Sequence, residues 1–155
     1  MRATHASTAK TILVVEDERI VAKDLQQMLS GFGYSVPATA ASSEDAMRLA
    51  AEKRPDLVLM DIRIKGQRDG IETAAILRER FGVPIVYLTA HADDDAVARA
   101  KKTEPYGYLI KPVRADELRS TIEIALCKHE MERPLPGLNR LLKNAAGSEK
   151  LKQKS

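Results

Sequence analysis

The stretch Pro55-Asp56-Leu57-Val58-Leu59-Met60-Asp61 indicates the fold of this chain. Its four consecutive apolar residues are typical of a strand buried on both faces of a parallel sheet. Asp61 ends the apolar run, and a polar loop over residues 63–70 follows it. Ligands of open α/β sheets bind beyond the carboxyl ends of the strands, so a carboxylate at this position predicts a functional site. Taken alone, the stretch is equally compatible with Asp61 as a simple turn cap.

Four further apolar runs flank this strand. The predicted strands are residues 12–15, 34–40, 57–60, 84–88 and 106–110. Segments with apolar residues at helical spacing follow each strand, so the chain alternates strand and helix five times. This alternation predicts an α/β fold: a five-stranded parallel sheet with helices on both faces. Pro37 places the second strand at a sheet edge, because proline cannot donate to a strand ladder.

Helix boundaries are also marked in the sequence. Ser42-x-x-Asp45 and Asp69-x-x-Glu72 have the pattern of capping boxes. A fourth helix is predicted from about Asp93 to Lys102, and its apolar stripe is thin. We therefore expect this helix to be the least firmly anchored one.

The composition predicts one globular domain with short tails. The 155 residues are 44% hydrophobic, but no apolar run is long enough to cross a membrane. The N-terminus lacks a secretory signal, and the single cysteine, Cys127, excludes an internal disulfide. These features predict a cytoplasmic protein without membrane contact. Cys127 follows an apolar helix face and is interpreted as a small packing residue.

The net charge of +3 is unevenly distributed. Residues 11–127 carry a net charge of −3, whereas residues 1–10 carry +2 and residues 128–155 carry +4. No basic face that would follow a nucleic-acid backbone is evident in the central region. The basic ends contain no aromatic residue for base stacking, so binding of nucleic acid is not expected.

Reactive side chains follow the predicted strands at their carboxyl ends. Glu16 and Asp17 follow the first strand, Asp61 the third, Thr89 the fourth and Lys111 the fifth. Carboxylates held together repel one another and call for a cation, and oxygen ligands suit Mg²⁺. A lysine and a hydroxyl can hold the oxygens of a phosphoryl group. The set therefore predicts attack by a carboxylate on a phosphoryl group to give an aspartyl phosphate.

Residues 10–127 resemble the receiver domain of bacterial two-component response regulators. The resemblance rests on five motifs: Val14-Val15-Glu16-Asp17-Glu18, Leu57-Val58-Leu59-Met60-Asp61, Asp69-Gly70, Leu88-Thr89-Ala90 and Tyr108-Leu109-Ile110-Lys111-Pro112. It implies a flavodoxin-like fold with strand order 2-1-3-4-5, which also places the second strand at an edge.

The resemblance further implies a role for each site residue. Asp61 would be the phosphoacceptor, and Lys111 would contact the phosphoryl group. Mg²⁺ would be bound by Asp17, Asp61 and the backbone carbonyl of Arg63, with Glu16 acting through water. The switch would be formed by Thr89 and Tyr108. The Lys111-Pro112 peptide bond is expected to be cis.

The loop after Asp61 departs from the common family pattern. It reads Ile64-Lys65-Gly66-Gln67-Arg68, without the Met-Pro pair of many receivers, and is one residue longer. Such a loop is similar to that of receivers attached to sensory modules and histidine kinases. The altered segment is expected to affect the rigidity of the loop and the docking of the kinase. The carbonyl of Arg63 lies before this segment and is expected to keep its role.

The domain organisation predicted from the sequence has three parts. Residues 1–9 form a flexible tail, residues 10–127 the receiver, and residues 128–155 an extension of the fifth helix followed by a basic, partly disordered tail. Because no output domain follows, a stand-alone response regulator is expected. Its only catalysis would be its own phosphorylation and dephosphorylation.

The partners follow from the same resemblance. The phosphoryl donor would be a sensor histidine kinase or a histidine phosphotransfer protein. The signal would pass to a downstream protein, or to a homodimer formed through helix four, strand five and helix five or through the helix-five extension.

Two alternatives are carried forward. A haloacid-dehalogenase-type phosphohydrolase also uses an aspartyl phosphate, but that chemistry needs a second aspartate two residues after the nucleophile, where this chain has Arg63. A protein-binding module on the same fold, without phosphorylation, would not need the intact five-residue set.

Overall fold

The computed structural model describes residues 9–90 and 94–132. Within them strands and helices alternate: β1 (Ile12–Val15), α1 (Arg19–Gly31), β2 (Thr39–Ala40), α2 (Ser43–Lys53), β3 (Leu57–Asp61), α3 (Gly70–Phe81), β4 (Ile85–Ala90), α4 (Asp94–Lys101), β5 (Gly107–Lys111) and α5 (Ala115–Glu132). The sequence-based predictions for residues 1–8, 91–93 and 133–155 lie outside the described residues.

The five strands form one parallel sheet in the order β2-β1-β3-β4-β5, as predicted. β3 is central and all five of its residues are buried. Alternate residues of β3 face opposite sides of the sheet: Val58 and Met60 belong to one apolar cluster with α2 and α3, and Leu57 and Leu59 belong to another with α1 and α5. Because helices cover both faces, the strand reads as a continuous apolar run.

The second strand is shorter than its sequence predicts. Only Thr39 and Ala40 pair with β1, and a single bridge joins Ser35 to Thr11. Pro37 lies between these two points and has no N–H to donate, so the ladder is interrupted there. The predicted strand over 34–40 is therefore wrong in length, but its position at the edge of the sheet is confirmed.

Both predicted helix caps are present. The Ser42 hydroxyl accepts a hydrogen bond from the backbone N–H of Asp45 at 3.2 Å. Asp69 and Glu72 form a complete capping box at the start of α3: the Asp69 side chain accepts from the Glu72 N–H at 2.9 Å, and the Glu72 side chain accepts from the Asp69 N–H at 3.1 Å. These bonds satisfy N–H groups that have no partner within the helix.

The apolar contact of α4 is as thin as its sequence predicts, since only Ala96 and Ala100 of Asp94–Lys101 are buried. Polar contacts hold the C-terminal end of this helix. The Thr103 hydroxyl donates to the carbonyl of Ala100 at 2.7 Å, so the Tyr87 hydroxyl, 2.8 Å away, is the donor in its bond to Thr103. That α4 is the least firmly anchored helix stays a prediction.

Helix α5 continues to Glu132, in line with the predicted extension past residue 127. Cys127 is exposed, so its interpretation as a packing residue is wrong. The buried positions of α5 are Leu118, Ile122 and Ala125, and position 127 follows the last of them by only two residues, which turns it to the opposite side of the helix. Among the helices of the described ranges, none is both long and apolar enough to cross a membrane.

The N-terminus of α3 lies directly against the end of β3 at Gly70. The N–H of Gly70 donates to the carbonyl of Ile62 at 2.8 Å. A Cβ atom at position 70 would lie 1.9 Å from the carbonyl oxygen of Asp61 and 2.9 Å from Cα of Ile62. Glycine is therefore needed for α3 to begin beside the strand that carries Asp61.

We expect Gly70→Ala to lower the free energy of unfolding by about 3 kcal/mol, because the backbone of β3 would have to move away from the new methyl group. Gly31→Ala is the matched control: Gly31 ends α1 with no heavy atom within 4 Å of a Cβ there. The free energy of unfolding of Gly31→Ala should lie within about 0.5 kcal/mol of that of the parent or be higher. Urea unfolding of the two variants measures the difference, and equal stabilities would contradict the packing analysis.

Candidate functional site

Three carboxylates meet at the carboxyl edge of the sheet. Glu16 and Asp17 follow β1, and Asp61 is the last residue of the neighbouring β3. Val15 and Met60 are paired in register, so the ends of the two strands align. Carboxylate oxygens of the three residues lie within 4.8 Å of one another. Glu16 and Asp61 are almost fully buried, and Asp17 is half-buried.

Lys111, at the end of β5, joins this acidic group. Its ammonium donates to Oδ2 of Asp61 at 2.8 Å and to Oε1 of Glu16 at 3.0 Å. Oε1 of Glu18 lies 3.8 Å from the same nitrogen. Because β4 separates β5 from β3, the long lysine side chain reaches across the end of β4 to contact Asp61. The peptide bond between Lys111 and Pro112 is cis, as expected.

Burial and hydrogen bonding shift the pKa values of two of these groups. Burial raises the pKa of Glu16 to about 7, and its hydrogen bond with Asp61 adds to the rise, against the opposing effects of the Glu18 N–H and Lys111. Burial alone would lower the pKa of Lys111, but its hydrogen bonds to Asp61 and Glu16 outweigh burial and raise it. Lys111 therefore stays protonated throughout the neutral range, while Glu16 can hold a proton near neutral pH.

The loop after β3 closes one side of the site. The backbone N–H of Arg63 donates to Oδ1 of Asp61 at 3.1 Å, which directs this carboxylate. A cavity of about 330 Å³ opens beside it, lined by Asp17, Glu18, Asp61, Ile62, Arg63, Ala90 and Lys111. Asp61 is thus buried but can be reached through this cavity.

Thr89 lies near the site without bonding to it. It follows Leu88, the partner of Asp61 in the ladder, and its side chain is buried in β4, which extends to Ala90. Its hydroxyl donates to the carbonyl of Ala90 at 3.3 Å. Within residues 9–90 and 94–132, no hydrogen bond joins this hydroxyl to Asp61 or Lys111.

Tyr108 lies one strand further from Asp61. It is paired with Tyr87 across β4 and β5, and the two rings are stacked with their centroids 6.1 Å apart. The Tyr108 hydroxyl is buried and has no hydrogen-bond partner among the described residues. Burial raises the pKa of this hydroxyl.

Three residues that line the cavity, Glu18, Ile62 and Ala90, had no predicted role. Glu18 lies in the acidic run after β1, and its N–H donates to Oε2 of Glu16 at 3.1 Å, so its backbone helps to fix the Glu16 carboxylate. Ala90 lines the cavity next to Lys111. The run of three acidic residues was the available signal for Glu18, whereas an alanine has no reactive group that could mark it.

The donor set fits a hard divalent cation. Glu16, Asp17 and Asp61 each offer a carboxylate oxygen close enough to share one ion. Oxygen ligands of this kind suit Mg²⁺. Lys111 balances only part of the negative charge of the three carboxylates. The negative charge that remains would favour the binding of a cation.

Comparison with known proteins agrees with this geometry. The family model of the response regulator receiver domain matches residues 12–123. The chain is 36% identical over 123 residues to the transcriptional regulatory protein PdtaR of Mycobacterium tuberculosis, covering 79% of this chain and 60% of PdtaR. It is 31% identical to the phyllosphere-induced regulator PhyR of Methylorubrum extorquens, covering 81% of this chain and 46% of PhyR. It thus spans about half to three-fifths of these two relatives.

Solved structures give the same result. The signal receiver domain of a modulated diguanylate cyclase from Desulfovibrio desulfuricans superimposes with a TM-score of 0.77 at 41% identity, covering 81% of this chain and 99% of that domain. A putative response regulator from Chloroflexus aurantiacus has a TM-score of 0.72 at 31% identity, covering 77% of this chain and 99% of that one. The flavodoxin-like α/β architecture with an acidic edge defines the class. The chain belongs to the response regulator receiver domain family.

The raised pKa of Glu16 predicts a pH effect on stability in metal-free buffer. Between about pH 4.5 and pH 7 the folded protein retains a proton on Glu16 that the unfolded chain has lost, so Glu16 lowers stability as the pH rises through this range. The stability of Glu16→Gln relative to the parent should therefore increase from pH 5 to pH 8. Urea unfolding with a chelator present measures this difference. A relative stability that stays constant or falls with pH would contradict the assignment.

Proposed function

We propose that Asp61 accepts a phosphoryl group from a sensor histidine kinase or a histidine phosphotransfer protein in a Mg²⁺-dependent reaction. The observation that carries this proposal is the double hydrogen bond of Lys111, to Asp61 at 2.8 Å and to Glu16 at 3.0 Å, beside a cavity that reaches Asp61. A carboxylate oxygen of Asp61 attacks phosphorus, the new O–P bond forms, and the P–N bond to the donor histidine breaks.

The chain's own residues supply most of what this reaction needs. Lys111 places a fixed positive charge beside the carboxylate, where negative charge builds up on the phosphoryl oxygens. Glu16 holds Lys111 in place, and the Arg63 N–H directs the second carboxylate oxygen. Asp17, Asp61 and the backbone carbonyl of Arg63 would hold Mg²⁺, with Glu16 acting through water. The ion would neutralise charge on the transferred group.

Thr89 and Tyr108 form the proposed switch. Among the residues that the structure describes, the Thr89 hydroxyl has a single 3.3 Å bond, to the Ala90 carbonyl, to give up when it turns toward a phosphoryl oxygen. The Tyr108 hydroxyl has no partner among the described residues, which supports an alternative position for this side chain, since a buried hydroxyl without a partner is energetically unfavourable. Such a movement would link Asp61 to the surface of β5.

The output surface is proposed to be the face formed by α4, β5 and α5. Ile110 of β5 and Ile124 of α5 are 53% and 58% exposed, so this face offers two large apolar side chains to a partner. The surface would contact a downstream protein or a second copy of the chain. Phosphoryl transfer from a kinase that uses ATP is consistent with a cytoplasmic location.

The phosphohydrolase alternative is not favoured by the site. At the position where that chemistry needs a second aspartate, Arg63 is exposed and its backbone N–H is bonded to the nucleophilic carboxylate. We therefore propose no catalysis beyond the phosphorylation and dephosphorylation of Asp61 itself.

The nucleophile can be tested directly. With Mg²⁺ and a small phosphodonor, the parent should take up one phosphoryl group, seen by intact mass and released by hydroxylamine, which attacks acyl phosphates. Asp61→Asn should take up none, because an amide is a poor nucleophile. The control is Asp45→Asn, an exposed carboxylate of α2 bonded only to Arg48, which should react like the parent. Equal uptake by Asp61→Asn and the parent would refute the assignment.

The output surface can be tested by sedimentation. Phosphorylation should increase self-association of the parent, and Ile124→Asp should remove this increase, because a charge at the apolar contact would have to be buried. Arg48→Asp, on the exposed side of α2, is the control and should associate like the parent. If the parent sediments as a monomer in both the phosphorylated and the unphosphorylated state, the homodimer is excluded and the partner must be a different protein.

A further inference from the structure

The loop between β3 and α3 lies against the N-terminus of α2. The backbone N–H of Ser43 donates to the carbonyl of Lys65 at 3.1 Å, and Ser42 forms a parallel bridge with Lys65. Two residues on, the N–H of Gln67 donates to Oε2 of Glu44 at 3.3 Å. The middle of the loop is therefore attached to a helix that lies more than twenty residues earlier in the sequence.

Gly66 makes this close approach possible. It has φ of +115°, a backbone conformation that favours glycine. A Cβ atom at this position would lie 2.7 Å from both Oε1 of Glu44 and Oγ of Ser43. A methyl group at position 66 would displace the Glu44 carboxylate and the Ser43 hydroxyl, and it would lie only 3.2 Å from the backbone nitrogen of Ser43.

Glu44 is the side chain that connects the two segments. The Ser43 hydroxyl donates to Oε2 of Glu44 at 3.0 Å, the same oxygen that accepts from Gln67. Hydrogen bonds from its own backbone N–H, from the Gln67 N–H and from Ser43 lower the pKa of Glu44. The carboxylate is thus ionised at neutral pH and accepts charge-assisted hydrogen bonds.

The attachment lies between the two fixed ends of the loop. At one end the Arg63 N–H is bonded to Asp61, and at the other Asp69 caps α3. Residues 64–68 contain no proline to stiffen the chain between these ends. Without the contact to Glu44, Lys65 would still be bonded to Ser43, but residues 66–68 would lose a side-chain attachment to α2. The loop that carries the Arg63 carbonyl would then be held less firmly.

We propose that Glu44 is a positioning residue that holds the loop between β3 and α3 so that the Arg63 carbonyl faces the acidic site. This inference rests on the proposed function, in which that carbonyl is a ligand of Mg²⁺. Glu44 itself contacts neither the carboxylates of the site nor the phosphoryl group. It acts on the metal only through the loop, together with Gly66.

The test compares Glu44→Ala with Glu52→Ala. Glu52 is an exposed carboxylate of the same helix, 3.5 Å from Arg48, and has no contact with the loop. Glu44→Ala should bind Mg²⁺ about threefold to tenfold more weakly, the range that corresponds to the net contribution of one ordinary hydrogen bond. It should also exchange the amide hydrogen of Gln67 faster. Titration calorimetry and NMR-detected hydrogen exchange measure the two effects in the full chain without any phosphodonor.

Two further variants separate positioning from general destabilisation. Glu44→Gln keeps an oxygen that accepts from Gln67, so it should recover part of the Mg²⁺ affinity and of the amide protection. Gly66→Ala, with Glu44 retained, should also weaken Mg²⁺ binding, because the new methyl group would displace the side chains of Glu44 and Ser43. Glu44→Ala should melt below Glu52→Ala, because it loses the hydrogen bonds to the loop and to Ser43, but it should remain fully folded at the temperature of the Mg²⁺ titration.

The outcomes distinguish this inference from the proposed function. If Glu44→Ala matches Glu52→Ala in Mg²⁺ affinity and in Gln67 exchange, the positioning role is refuted while the metal site stands. If the parent binds no Mg²⁺, the metal site is refuted and the positioning role with it. A parent that binds Mg²⁺ but takes up no phosphoryl group refutes only the phosphoacceptor.

Discussion

The ion pairs of Lys111 with Asp61 and Glu16 are the interaction on which the rest of the site depends. Two like charges about 4 Å apart repel by roughly 4 kcal/mol near a protein surface, and this site buries two carboxylates with a third beside them. A single ammonium within 3.0 Å of both buried groups compensates part of that repulsion. Burial, together with the hydrogen bond to Asp61, still raises the pKa of Glu16. A site that is incompletely neutralised by its own residues is suited to take up a cation, which in the proposed reaction would offset the charge of an anionic phosphoryl group.

Strand order brings these groups together. Only an arrangement with β3 between β1 and β4 places Asp61 next to the acidic pair after β1 and within reach of the lysine after β5. The same arrangement requires close packing around the end of β3, where α3 begins against the backbone of Asp61 at Gly70. The residue that defines the chemistry and the residue that allows the helix to approach are therefore parts of one junction. This junction fixes the position of Asp61 relative to α3.

The sequence predicts those features of the fold that local patterns of apolar and charged residues encode. The run Leu57–Met60 predicts a strand covered on both faces, and the acidic and basic residues at strand ends predict their own convergence. The length of β2 depends on how closely the chain around Pro37 follows β1, and the hydrophobic periodicity of a segment does not predict this. The exposure of Cys127 could have been found by counting from the buried positions of α5. The contact of Glu44 with Gln67 was beyond prediction, because it joins an exposed glutamate to a loop amide, and neither belongs to a periodic pattern.

The loop after β3 joins the site to helices on both of its sides, but with different kinds of contact. On the α2 side, three backbone groups and Gly66 are involved, and a glycine at positive φ in close contact leaves little freedom. On the α4 side, Asp69 caps α3 with one oxygen and forms an exposed ion pair with Arg99, at 2.9 Å, with the other. Exposed ion pairs contribute only about 0 to 1 kcal/mol. The α2 side is thus built to hold the loop still, whereas the α4 side can separate at little cost. A change at Asp61 should therefore be passed toward α4 and β5, the side that carries the exposed Ile110, and not toward α2.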